Sequence, residues 1–90
     1  MTDRDILTLV KANLGITRTA WDEYLLSLIG AAKQMITREG VTISDTMEDT
    51  NLIVMYTSYL WRKRAEDAPM PRMLRWALNN RIMSEKAVAE

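Results

Sequence analysis

An all-α fold, a small bundle of about four helices, is predicted by three observations on the sequence. Apolar residues recur at helical spacing in four separate stretches. Helix-stopping residues fall between those stretches, at Gly15, at Gly40 and at Pro69-Met70-Pro71. Capping residues stand at the head of several of them.

The first helix is expected from about Asp3 to Leu14. Thr2 is placed to cap it, and Asp3 and Asp5 sit in the first turn, where free N–H groups favour negative charge. Ile6, Leu9, Val10 and Leu14 make its apolar stripe, and Gly15 is its stop. The second helix has the strongest pattern. Thr19 followed by Asp22 resembles a capping box, and Trp21, Tyr24, Leu25, Leu28, Ile29, Ala32, Met35 and Ile36 lie on one face of a 3.6-residue period, ending at Gly40. Gly30 interrupts it, either through simple tolerance or to admit a neighbouring helix beside Ala31. Residues 40–47 form a connector, a short extended stretch or a loop, in which Thr46 and Asp49 repeat the capping pattern.

The third helix is expected from about Met47 to Ala65. Leu52, Met55, Tyr56, Tyr59 and Leu60 make one stripe, while Ile53, Val54 and Trp61 add apolar surface beyond it. A helix apolar over so much of its girth is central in its own domain or covered by a neighbour. Pro71 opens the fourth helix, along which Met73, Leu74, Ala77, Leu78 and Ile82 continue the period, with Trp76 and Met83 beside it. From Ser84 the pattern fades. The division read from this is one helical domain over residues 1–83 and a flexible C-terminal tail over 84–90.

Composition excludes much chemistry. Among 90 residues there is no cysteine and no histidine, so disulfides, thiolate metal sites, cysteine nucleophiles and the commonest general base are absent. The three glycines form no phosphate loop. Glu48 and Asp49 are adjacent, so on a helix they diverge by about 100° and do not form an acid–base or metal pair. No enzyme, metal or cofactor is expected. Apolar runs are far shorter than the ~20 residues that span a bilayer, and the first residues lack a signal-peptide pattern. A soluble protein made in the cytoplasm is expected, without membrane contact.

The charges sum to zero but are unevenly placed: residues 1–50 carry five basic and eight acidic side chains, residues 51–90 seven and four. Glu39, Asp45, Glu48 and Asp49 make an acidic segment. Arg62, Lys63, Arg64, Arg72, Arg75 and Arg81 make a basic one, against Glu66 and Asp67. These are solvated faces, or complementary patches that meet between copies of the chain, or a basic rim near a polyanion. Met35, Met55 and Met73 are expected as core filler, and Met70 and Met83 as freer edge residues. Trp21 is expected in the core. Trp61 and Trp76, among arginines, suit stacking at a protein interface, nucleic-acid contact, or cover for a core edge.

Three segments together resemble the head–tail connector (adaptor) proteins of tailed bacteriophages, also known as phage DNA-packaging proteins. They are Leu14-Gly15-Ile16-Thr17 with Trp21 to Ile29, the aromatic helix Met55 to Arg64 that ends in arginines, and Met70-Pro71-Arg72-Met73-Leu74-Arg75-Trp76-Ala77-Leu78-Asn79-Asn80-Arg81. The likeness spans about residues 5–83. It implies a small helical bundle whose copies form a ring below the portal, extending the DNA channel and docking the tail or a stopper. It implies as partners further copies of the chain, portal protein, tail or stopper protein, and transient, sequence-independent contact with double-stranded DNA. The implied location is the virion head–tail interface, after assembly in the bacterial host. Ring subunits need two different faces. The residues expected there, toward a neighbour or the portal, are Trp61, Arg62, Lys63, Arg64, Met70, Arg72, Arg75 and Trp76, with Glu39, Asp45, Glu48 and Asp49 opposite. Apolar surplus at Ile53, Val54, Trp61 and Trp76 is expected to be covered by those contacts. The competing reading is a small helical nucleic-acid-binding regulator, which the neutral charge and a pI near 6.3 disfavour.

Overall fold

The computed structural model describes residues 2–65 and 69–89, except the side chains of 86–89. Glu66, Asp67 and Glu90, which entered the charge and tail readings, lie outside the described residues. Among those described there are four helices and no strand: α1 (Asp3–Leu14), α2 (Asp22–Arg38), α3 (Met47–Lys63) and α4 (Arg72–Ala89). The helices α1, α2 and α3 pack on one another, and α4 lies against α3. The molecule measures 46 × 29 × 17 Å. With helices about 10 Å across, its thinnest dimension holds two layers. Every helix therefore keeps a solvent side, and the edges of wide apolar stripes emerge from the core.

The N-terminus of α1 is a full capping box. Thr2 Oγ1 accepts from the Asp5 amide at 3.2 Å and the Thr2 amide donates to Asp5 Oδ2 at 3.0 Å. The hydrogen bond from the Thr2 amide, joined by that to its hydroxyl, holds the Asp5 carboxyl below 3.8. At the other end Gly15 turns left-handed at φ 73°, and its amide donates to Lys11.

The second capping box does not form. Trp21 occupies the N-cap of α2 with no side-chain cap. Thr19 contributes only its carbonyl, which accepts from the Asp22 amide at 3.1 Å. The Asp22 carboxylate instead meets Lys11 Nζ at 2.7 Å. A cation in the last turn of α1 and an anion in the first turn of α2 each suit their helix dipole, so this pair outcompetes a neutral cap.

The core is narrower than the stripes. On α2 only Leu25, Ile29, Ala32 and Ile36 are buried, with Leu28 half-buried. Trp21, Tyr24, Met35 and, on α1, Leu9 are exposed, while Leu7, outside the α1 stripe, is buried beside Ile6 and Val10. On α3 the buried line is Leu52, Ile53 and Tyr56. Ile53 is thus inside the chain's own core, not spare surface, because α3 packs against each of the other three helices. Val54, Met55 and Trp61 are half-buried. Leu74 and Leu78 anchor α4, whereas Met73, expected in the core, is 70% exposed.

The apolar pattern fades from Ser84, yet the helix α4 runs on to Ala89. Glu85 explains the extension: its carboxylate accepts from the Thr42 amide at 2.8 Å and faces Arg81 at 3.7 Å. A methyl group built on Gly30 meets nothing within 4 Å, so no neighbouring helix requires glycine there. Gly30→Ala is expected to stabilise the fold by about 1 kcal/mol, through helix propensity alone. Urea titration followed by far-UV circular dichroism reads it directly, and a destabilised variant would contradict it.

Candidate functional site

Most of the acidic segment is matched within the chain. Arg75 Nη1 lies 2.8 Å from Glu39 Oε2. Arg81 is the centre of the network. Its Nη1 donates to Asp49 Oδ1, its Nη2 donates to Asp49 Oδ2 at 3.1 Å and to the Thr42 carbonyl at 3.0 Å, and Glu48 lies 3.8 Å away. Asp49 Oδ2 also accepts from the Ser44 amide at 2.6 Å and from Ser44 Oγ at 2.8 Å. The Asp49 side chain is only 1% exposed.

Burial on its own pushes the Asp49 carboxyl up. The Arg81 guanidinium, the Ser44 amide and the Ser44 hydroxyl more than offset that and hold it below 3.8. The Arg81 guanidinium is correspondingly pushed up, chiefly by its hydrogen bond to Asp49. The Thr46–Asp49 capping pattern is therefore half realised. Thr46 Oγ1 accepts from the Asp49 amide at 3.2 Å, but the carboxylate turns to Ser44 and Arg81, because a guanidinium is the stronger donor. This network pins the 39–46 connector and the start of α3 to α4. It leaves Glu39 and Asp49 engaged inside the chain. Asp45 and Glu48 lie exposed at the start of α3.

A second cluster joins the start of α2 to the end of α3. Trp21 and Trp61 meet edge to face with ring centres 5.3 Å apart, and Tyr24 lies 6.1 Å from each. The Arg64 guanidinium sits over all three rings, at 4.2 Å from Trp61, 4.7 Å from Trp21 and 5.6 Å from Tyr24. Such contacts are each worth about 0.5–1 kcal/mol at exposed sites. Lys63 Nζ is 5.7 Å from the Tyr59 ring, and Arg62 is exposed. Trp21, expected in the core, is 39% exposed: it stands at the N-cap of α2, outside the buried line that begins at Leu25. Tyr24 belongs to this cluster and was not singled out by its position in the sequence; its place one turn after Trp21 is the only local signal for it.

The third feature is the outer side of α4. Met73, Trp76 and Met83 expose 70%, 63% and 69% of their surface, and Arg72 lines a shallow depression with Met73 and Trp76. Met70, by contrast, is half-buried and packs against the core.

No protein-family model, curated protein or solved structure matches this chain. What the site can do must be read from its own chemistry. Among the described residues, no group of three or more carboxylates is gathered to hold a metal ion. No helix among them is long and apolar enough to cross a membrane. The titratable groups that converge, Asp49 with Arg81 and Glu39 with Arg75, are ion pairs tying elements together. The exposed groups are aromatic, thioether and guanidinium, the side chains that dominate protein–protein contacts.

Proposed function

We propose that this chain is a structural head–tail connector (adaptor) subunit of a tailed bacteriophage or prophage, one copy in a ring below the portal that extends the DNA channel and docks the tail or stopper. The observation that carries the reading is apolar surface left uncovered on two different parts of a very short chain: the Trp21–Tyr24–Trp61 cluster and the outer side of α4. Head-to-tail contacts that close into a ring need two unlike faces on each subunit. The order of the three segments that resemble the connector proteins points the same way. The charge contribution is narrower than the sequence suggests. Glu39 and Asp49 already pair with Arg75 and Arg81, so within the basic segment Arg62, Lys63, Arg72 and the ring-stacked Arg64 are the cations that could meet a neighbour or portal.

The same pairing weighs against the nucleic-acid regulator, since two arginines of the basic stretch are committed to carboxylates of the chain itself.

Mixing the purified chain with the portal protein encoded in the same genome, followed by negative-stain microscopy, tests the proposal. Portal particles carrying an added ring are expected. The triple variant Arg62→Glu, Lys63→Glu, Arg64→Glu should assemble at least tenfold more weakly. A chain that ignores portal at about 50 μM, well above the micromolar range of specific weak contacts, would overturn the reading.

A further inference from the structure

The side of α4 that faces away from the fold has a regular spacing. Met73, Trp76, Asn80 and Met83 are separated by three, four and three residues. At 100° per residue they fall within an arc of about 80°. Leu74, Leu78, Arg81 and Glu85 occupy a second arc, about 150° away, and hold α4 to its own chain, helped by Arg75, Ala77 and Ile82 beside it. In heptad terms, Met73 and Asn80 take the a positions and Trp76 and Met83 the d positions. Leu74, Leu78, Arg81 and Glu85 take b and f, the positions that point away from a coiled-coil seam. The fold thus occupies the back of the helix and leaves a two-heptad seam uncovered. Asn80, like the three apolar residues, is exposed.

We propose that this seam is a self-association surface, on which the α4 of one copy lies parallel to the α4 of a second copy about a two-fold axis. Three features select another copy as the occupant. An asparagine at a single a position suits its own image: in a parallel pair the two Asn80 amides meet, each able to donate and to accept, whereas an unlike apolar helix would leave that amide unsatisfied. The seam is an isologous patch, in which every layer (Met73, Trp76, Asn80, Met83) meets its own counterpart. The flanks raise no electrostatic objection. In a parallel pair each g residue faces the partner's e residue, which sets Arg72 against Ala77 and Asn79 against Ser84. Like charges do not meet, and the small e residues allow close approach. Only three large side chains are covered per copy, below the area of a standard interface. The pair is therefore dissociable and concentration-dependent.

This inference does not rest on the connector reading: the pair forms in the purified chain without portal and, being dissociable, opens before the outer side of α4 meets a ring neighbour. Sedimentation velocity of the full chain from about 1 to 300 μM, a span bracketing weak association, should show the mass rising from one chain to two. Trp76→Glu should hold it at one chain throughout, with an unchanged far-UV spectrum because Trp76 is outside the core. The chain has no cysteine, so Asn80→Cys and, separately, Met83→Cys report orientation: under oxidising conditions each should form a disulfide-linked dimer at low micromolar concentration. A wild-type chain that stays a monomer across the range overturns the proposal. So does a dimer that Trp76→Glu leaves intact, or one in which neither cysteine variant cross-links to itself, as in an antiparallel arrangement. Portal binding is read in a separate mixture, so a failure of the pair and a failure of the connector reading are told apart.

Discussion

Arg81→Ala is expected to cost about 3–5 kcal/mol of folding stability, the loss typical when one partner of a buried ion pair is removed. The whole stability of a 90-residue chain is about 4–14 kcal/mol, so this single change brings the fold to its limit. The size follows from what is left behind. The Asp49 carboxylate, 1% exposed, would keep only the Ser44 amide and hydroxyl. It would be buried and charged with no counter-ion, and would have to be protonated or rehydrated by opening α4. The Thr42 carbonyl would lose its guanidinium donor as well. Thermal unfolding should fall by at least about 12 °C, and Asp49→Ala combined with Arg81→Ala should cost much less than the two changes summed. A loss under 1 kcal/mol from Arg81→Ala would show that the carboxylate is adequately held without the arginine.

The same pair sets an acid limit. The Asp49 carboxyl is held below its ordinary 3.8 in the folded chain. A depressed carboxyl stabilises the fold at pH values above the unfolded value, and that contribution is lost as pH falls through the folded one. Unfolding on acidification should therefore begin as pH drops below about 4, and Arg81→Ala should abolish that part of the acid dependence.

Ile29→Ala is expected to cost about 2–5 kcal/mol, by lost transfer energy and by the cavity left in place of the side chain. Ile29 is fully buried in the middle of the α2 line formed with Leu25, Ala32 and Ile36. That line is the contact between α2 and the rest of the bundle, and the molecule is two layers thick, so no second shell of helices can close over the hole. Chemical denaturation should show a lowered midpoint with an unchanged slope. Met35→Ala, six residues further on the same apparent stripe, should change stability by less than about 1 kcal/mol, because Met35 is exposed. Equal losses from the two variants would mean that the whole stripe is packed.

That contrast marks where reading the sequence succeeds and where it stops. The limits of α1 and the existence of all four helices were legible, since period, glycine stops and the Thr2 cap act over a few residues. The aromatic cluster was half legible: Trp61 and Arg64 stand three residues apart at the end of α3, but the arrival of Trp21 and Tyr24 from the start of α2 is a tertiary event. The charged segments were visible as segments, yet not as partners of each other. Asp49 and Arg81 are 32 residues apart, and Thr42 and Glu85 are 43 apart. No local rule connects them.

The amino-acid sequence by itself determined that this protein is helical, where its first helix starts and stops, and that it has no thiol or imidazole chemistry. Those properties depend on composition and on hydrogen bonds that close within a turn. The tertiary structure alone decided which edge of each stripe is buried, that Ile53 is core while Met73 and Trp76 are surface, and that the acidic and basic segments meet inside one chain. A periodic stripe is wider than the line along which two helices touch. Which part is covered, and which charges become neighbours, depends on helices brought together from distant parts of the chain.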